Sequence, residues 1–199
     1  LKHYYIDKDD PASKAWLKEE IFNGPDQDSR ARARQAFTNV DHNGLMPFVG
    51  PEDVDFILNR MILDKSLDNY TKADGIYALG FLGSPTAHRH GKGHKDKKIE
   101  DLIIQILQTQ PPRDSHSDTL SHLRVRAAEA LGNYGGERAI KVLEETLRDP
   151  DGSVRGEAAG NLNYLTGKYY HYGGESYCDE HPREIYPGSG ILPPPKDKR

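Results

Sequence analysis

One cysteine, Cys178, in 199 residues leaves no partner for an internal disulfide and no CxxC pair for redox or zinc-finger chemistry. No apolar run approaches the ~20 residues that a membrane-spanning helix needs, so a transmembrane helix is excluded. A dominant charge of one sign is also missing. The 27 Lys and Arg against 31 Asp and Glu leave a net charge of −4, which argues against a general nucleic-acid binder. The motifs HExxH, GxSxG, the Walker loop and GxGxxG are all lacking. Gly91-Lys-Gly93 has neither the third glycine nor a preceding strand, and Asp7-Lys-Asp9-Asp-Pro11 places Pro at a ligand position of an EF-hand loop. Catalysis therefore has no positive support, and no cofactor is expected. The chain opens at Leu1 without Met or an apolar leader, and its eleven Tyr and nineteen Gly beside one Cys lean toward an extracytoplasmic setting.

What the sequence does contain is self-similarity. Leu123-Arg-Val-Arg-Ala-Ala-Glu-Ala-Leu-Gly132 aligns with Val154-Arg-Gly-Glu-Ala-Ala-Gly-Asn-Leu-Asn163, an offset of 154 − 123 = 31 residues. Arg124/Arg155, Ala127/Ala158, Ala128/Ala159 and Leu131/Leu162 coincide. A looser copy, Thr71–Gly80, shares the Ala78-Leu79-Gly80 step, and a fainter one at Ser29–Phe37 keeps Arg30, Ala36 and Phe37 in register.

Each copy has helical spacing. Leu123, Ala127, Ala128, Leu131 and Tyr134 share one face of a 3.6-residue period, and the paired alanines let a neighbouring helix come close. Between the copies lie second helices with cleaner stripes: Val54, Ile57, Leu58, Met61, Ile62; then Ile99, Leu102, Ile103, Ile106, Leu107; then Ile140, Leu143, Leu147. No segment alternates as a strand would, so the chain is expected to be all-α. Asp10-Pro11 and Gly50-Pro51 put Pro at a helix start. Gly44, Gly83, Gly135-Gly136 and Gly167 follow stripes, where a left-handed cap is wanted. In Asp149-Pro-Asp-Gly-Ser153, Asp151 or Ser153 is placed to cap the next helix. The expected order is an initial helix at 12–22, then about four antiparallel helix pairs with the last incomplete.

The run Leu123–Gly136, joined to Ala139-Ile140-x-x-Leu143-x-x-x-Leu147-x-Asp149 and Ser153–Gly167, resembles the HEAT-like repeat of the phycobilisome-lyase type. About 45 residues carry the match closely, and the resemblance implies a short right-handed α-solenoid that presents surfaces to another macromolecule. On this reading residues 1–167 form the helical repeat domain, with clear repeats at 119–167 and weaker ones at 27–110, and 168–199 is an extended Tyr/Pro-rich tail. HEAT-like di-iron hydroxylases repeat His-Glu pairs, and this chain has no His-Glu dipeptide. The resemblance also implies that Asp149 and the ladder Arg30, Lys72, Arg124 and Arg155 tie adjacent repeats together.

Two surfaces are candidates for contact with another protein. Gln105, Gln108, Lys141, Glu145 and Arg148, on the second helices, are expected on a concave face. The loop Ser84–Lys98 carries five Lys or Arg against one Asp, so His88, Arg89, His90, Lys92, His94 and Lys95 suit a partner with an acidic surface. The same loop offers His88, His90 and His94 as three imidazoles for a transition metal, though its glycines promise no fixed second shell. Cys178-Asp-Glu-His181 crowds its ligands into one short stretch. The tail's Tyr169, Tyr170, Tyr172, Tyr177 and Tyr186 suit capping of the last repeat or docking onto a partner. The leading expectation is a non-enzymatic protein-interaction scaffold. The alternatives are a lyase or chaperone-lyase for a tetrapyrrole-carrying protein and a metal-binding accessory subunit.

Overall fold

A computed structural model describes residues 7, 10–39, 48–84, 93–109, 118–168 and 170, and these are helical with no strand among them. The order is α1 (Pro11–Asn23), α2 (Gln27–Thr38), α3 (Val54–Phe56), α4 (Asn69–Gly83), α5 (Lys97–Leu107), α6 (Asp118–Tyr134), α7 (Glu137–Thr146) and α8 (Gly152–Thr166). Helix α3 is entered through a 3-10 turn, Pro51–Asp53, and runs on into a π-helix, Ile57–Ile62. The helices follow the order that the stripes predict, but α2 packs chiefly on α1, and the π-helix packs on α4.

Helix starts rest on aspartate. Asp10, Asp26, Asp68, Asp96 and Asp151 each accept a bond from a backbone N–H one turn on, filling donors that have no partner inside the helix. At the α7–α8 turn Asp151 is the cap, reaching Ser153 N–H at 2.8 Å. Gly167 ends α8 in the left-handed region at φ 66°, as its position predicts. Gly83 does not adopt a positive φ. It is small because a Cβ there would run into the ring of Tyr134. Gly44 lies outside the described residues.

The core follows from how the helices stack. The first helices of successive pairs lie along one another, α4 against α6 and α6 against α8. Their contact surfaces are built from small residues: Ala78, Ala127, Ala128, Ala130, Ala158 and Ala159 are buried. A Cβ on Gly80 would overlap the backbone of Ala130, and one on Gly132 would overlap Asn161. The second helices fill the back of this layer. Helix α5 packs mainly on α6, and α7 on α8 and α6, burying Ile99, Ile103, Leu107, Ala139 and Leu143. Between α5 and α7 the link is made by long side chains, Arg138 reaching Glu100 at 3.0 Å and Asp101 at 2.5 Å. Contact is thus closer in the first-helix layer than in the second. Ala128 has no accessible surface, so Ala128→Leu is expected to overpack this layer and cost about 1–3 kcal/mol. Thermal unfolding checks this, and an unchanged Tm would contradict the close approach.

The π-helix changes one stripe. Leu63 N–H bonds to Leu58 O at 2.9 Å, an i to i+5 bond that widens the turn. Ile57, Met61 and Ile62 remain buried against α4 while Leu58 is only partly covered.

Of the basic ladder expected to tie adjacent repeats, Arg30 and Arg155 tie the turns before their own helices, and Arg124 with Asp149 makes the tie between repeats. Arg30 donates to Gly24 O at 2.9 Å, and Arg155 donates to Asp149 O at 2.7 Å. The Asp149 carboxylate, however, pairs with Arg124 of the preceding repeat. Arg124 is a buried bolt and not a surface rung, because its Nε also reaches Leu107 O at 3.0 Å.

Candidate protein-interaction face

Repeat register puts polar and aromatic residues at the same positions on successive first helices. On α4 these are Tyr70, Asp74 and Tyr77, at i, i+4 and i+7. On α6 they are His122, Arg126 and Glu129, and on α8 the second position is Glu157. A 3.6-residue period brings each set onto one stripe, and stacking sets the stripes side by side.

The contacts across the stripes alternate in charge. From α2, Arg34 donates through Nε to Asp74 at 2.5 Å and through a terminal nitrogen to Thr71 Oγ1 at 3.0 Å. The Tyr70 and His122 rings lie 5.2 Å apart. The Arg126 guanidinium sits 5.1 Å from the centre of the Tyr77 ring and bonds Glu129 at 2.6 Å. On α8, Asn161 donates to Glu157 Oε1 at 2.8 Å. Tyr70 and Tyr164 are exposed at 46% and 77%, a large share for aromatic rings.

Burial pushes the Glu157 carboxyl up, and the neighbouring charge of Glu129 adds to it. Burial lowers His122, helped by the charge of Arg126. Burial alone would raise Asp68, at the start of α4, but the Thr71 N–H and hydroxyl and the Arg34 charge outweigh it and hold the carboxyl low. Two adjoining grooves open on this face. One, of about 680 Å³, is lined by Arg30, Arg34, Asp68 and Tyr70. The other, of about 310 Å³, is lined by Arg34, Gln35, Tyr70, Asp74, Tyr77 and Arg126. An array of Tyr and Arg on a rigid layer, with clefts between helices, is suited to holding another protein.

The residues expected from the sequence lie elsewhere. Gln105, Gln108, Lys141, Glu145 and Arg148 are exposed on α5, its C-cap, α7 and the turn that follows, in the second-helix layer and away from both grooves. His88, Arg89, His90 and Lys92 lie outside the described residues. His94 and Lys95 are held to the fold: His94 N–H donates to Leu82 O at 2.7 Å, and Lys95 Nζ lies 5.8 Å from the Tyr134 ring centre. Among the described residues no group of three or more His, Cys, Asp or Glu side chains is arranged to hold a metal ion. No helix among them is long and apolar enough to cross a membrane. At the start of the tail Tyr170 is buried, its N–H on Asn163 Oδ1 at 2.5 Å and its hydroxyl on Glu144 at 3.1 Å. Cys178 and the later tyrosines lie outside the described residues. The stripe Tyr70, Asp74, Tyr77 was not singled out from sequence, although the repeat alignment carries its register.

Comparison with curated proteins gives no match, and comparison with solved structures gives none either. The model of HEAT repeats matches residues 58–163, more than half of the 199-residue chain. The match runs from the π-helix to the last turns of α8 and covers the layer on which this face is built, and by it the chain belongs to the HEAT repeat family.

Proposed function

We propose that this chain is a non-enzymatic protein-interaction module whose first-helix face receives a partner protein. The observation that supports this is the continuous stripe of Tyr70, Asp74, Tyr77, His122, Arg126, Glu129 and Glu157, with grooves beside it, on the most closely packed layer of the molecule. HEAT repeats commonly serve as protein-interaction scaffolds. The second-helix residues Gln105, Gln108, Lys141, Glu145 and Arg148 form the other accessible surface, and the experiment below weighs the two faces against each other. The finer likeness to the phycobilisome-lyase type rests on the repeat motif alone. A bilin or haem absorbance band in purified protein would be its support, and stoichiometric metal would support the accessory-subunit reading.

The test begins with affinity capture from the native source and mass spectrometry to identify a partner. Tyr70→Ala with Arg126→Gln should weaken that partner at least tenfold, or about 1.4 kcal/mol, while Lys141→Glu with Glu145→Lys leaves it within twofold. The reverse pattern would move the site to the second helices.

A further inference from the structure

We infer that the groove between α2 and α4 receives an extended, acidic segment of the partner protein. This rests on the first-helix face being the binding face, and names what one end of it selects. Helices α2 and α4 touch over a much shorter stretch than α4 and α6. The gap is the groove of about 680 Å³, which continues past Arg34 and Tyr70 into the smaller one of about 310 Å³.

Its charged groups are unequally engaged. The carboxylates lining it are Asp68 and Asp74. Asp68 accepts from Thr71 N–H and from Thr71 Oγ1, both at 2.9 Å, and Asp74 accepts from Arg34 at 2.5 Å. Asp26, where α2 starts, is turned into its own cap and accepts Ser29 N–H at 2.7 Å. The cations are Arg30, Arg34 and Arg126, each with five N–H donors. Arg30 donates to Gly24 O and Arg34 to Asp74 and Thr71. Arg126 donates through a terminal nitrogen to Glu129 at 2.6 Å, and its guanidinium lies beside the Tyr77 ring. The carboxylates in the groove are therefore engaged, while the bonds named leave further guanidinium N–H groups on Arg30 and Arg34, and a carboxylate is the group that takes two guanidinium N–H bonds at once.

Shape points to extended chain. Helix α2 has 12 residues, so the groove beside it runs about 18 Å, the reach of roughly five or six extended residues. Gln35 and Asn39 are exposed along it, and their amides match the N–H and C=O groups that an extended segment leaves open and a helix does not. Tyr70 forms an aromatic wall.

The probe is a pool of fluorescein-labelled, end-capped decapeptides carrying four Asp or Glu and one Tyr, compared with the same pool bearing Asn and Gln, read by anisotropy on the full chain. The acidic pool should bind at least tenfold tighter at 50 mM salt and lose at least fivefold at 500 mM, since exposed charge is screened. Gln35→Glu and Arg30→Gln should each weaken it at least fivefold, and Gln35→Lys should tighten it, with circular dichroism confirming that each variant is folded. Equal binding of the two pools, or indifference to Gln35→Glu, would overturn the inference. So would a self-associated state, seen by light scattering, that occupies the groove with a second copy. If Tyr70→Ala with Arg126→Gln still abolishes native-partner binding while the acidic pool fails, the face reading stands and only this inference falls.

Discussion

Replacing Arg124 by Ala should lower the free energy of unfolding by about 3–5 kcal/mol, the scale for breaking a buried ion pair. The Arg124 side chain is 1% exposed and that of Asp149 is 8%. The guanidinium joins the Leu107 carbonyl at the end of α5, which has no helical donor, to the carboxylate in the α7–α8 turn. Truncation leaves the Leu107 carbonyl without the Arg124 donor and the Asp149 carboxylate without its cation, with Asp151 N–H at 2.9 Å on its other oxygen. Arg124→Lys keeps the charge but loses the planar fork, and should recover less than half of the loss. Urea titration followed by circular dichroism measures both, and an Ala variant within about 1 kcal/mol of the parent would mean that water replaces the bolt.

Asp53 is the matching case at the amino-terminal end. It is fully buried, accepts Gly50 N–H at 2.8 Å, and sits between two cations from α1, Lys14 at 2.5 Å and Lys18. Lys18 also lies 4.7 Å from the Phe56 ring centre, so one charge carries both an ion pair and a cation–π contact. Asp53→Ala should cost about 2–4 kcal/mol, less than the Arg124 change because both lysines can reach water when released. Asp53→Asn retains an acceptor for Gly50 N–H and should recover about 1 kcal/mol. Limited proteolysis adds a local readout: cleavage inside α1 should precede loss of the remaining helices. Simultaneous loss would show that α1 is held by its packing on α2 and not by this carboxylate.

Periodicity exposes what is local and amphipathic. Helices α5 and α7 were legible because one face meets the core and the other meets water. Ile99, Ile103 and Leu107 are buried as their spacing predicts. Of the α7 stripe Ile140, Leu143 and Leu147, only Leu143 is fully buried, and the core face is shifted to Ala139 and Val142. Helix α4 was only partly legible, through Ala78-Leu79-Gly80, because neighbours surround it and Thr71, Ala73, Gly75, Ile76 and Leu82 are buried on several sides. A one-residue widening such as the π-helix leaves no mark in the sequence spacing, so the partial exposure of Leu58 escapes notice. Asp53 drew no notice in the sequence because its partners, Lys14 and Lys18, lie on another helix. The candidate face escaped for a similar reason. The choice between the first and second helices depends on which layer packs more closely, and small residues at Gly80, Gly83 and Gly132 set that only once the helices are stacked. Arg34 with Asp74, and Arg126 beside Tyr77, are pairings between helices that no single stripe announces.

Tyr134 has a consequence for the basic segment between α4 and α5. Its hydroxyl donates to Asp96 O at 2.7 Å and accepts Asp96 N–H, while His94 N–H reaches back to Leu82 O at 2.7 Å. The described residues on either side of 85–92, Ser84 and Gly93, are therefore fastened side by side. Closing a loop whose ends are already joined costs only about 0.6 kcal/mol for each doubling of its length. Residues 85–92 can then change in number, charge or histidine content while α5 keeps its register. The start of α5 is thus set by the bracket at Leu82, His94, Asp96 and Tyr134, independently of the composition of residues 85–92.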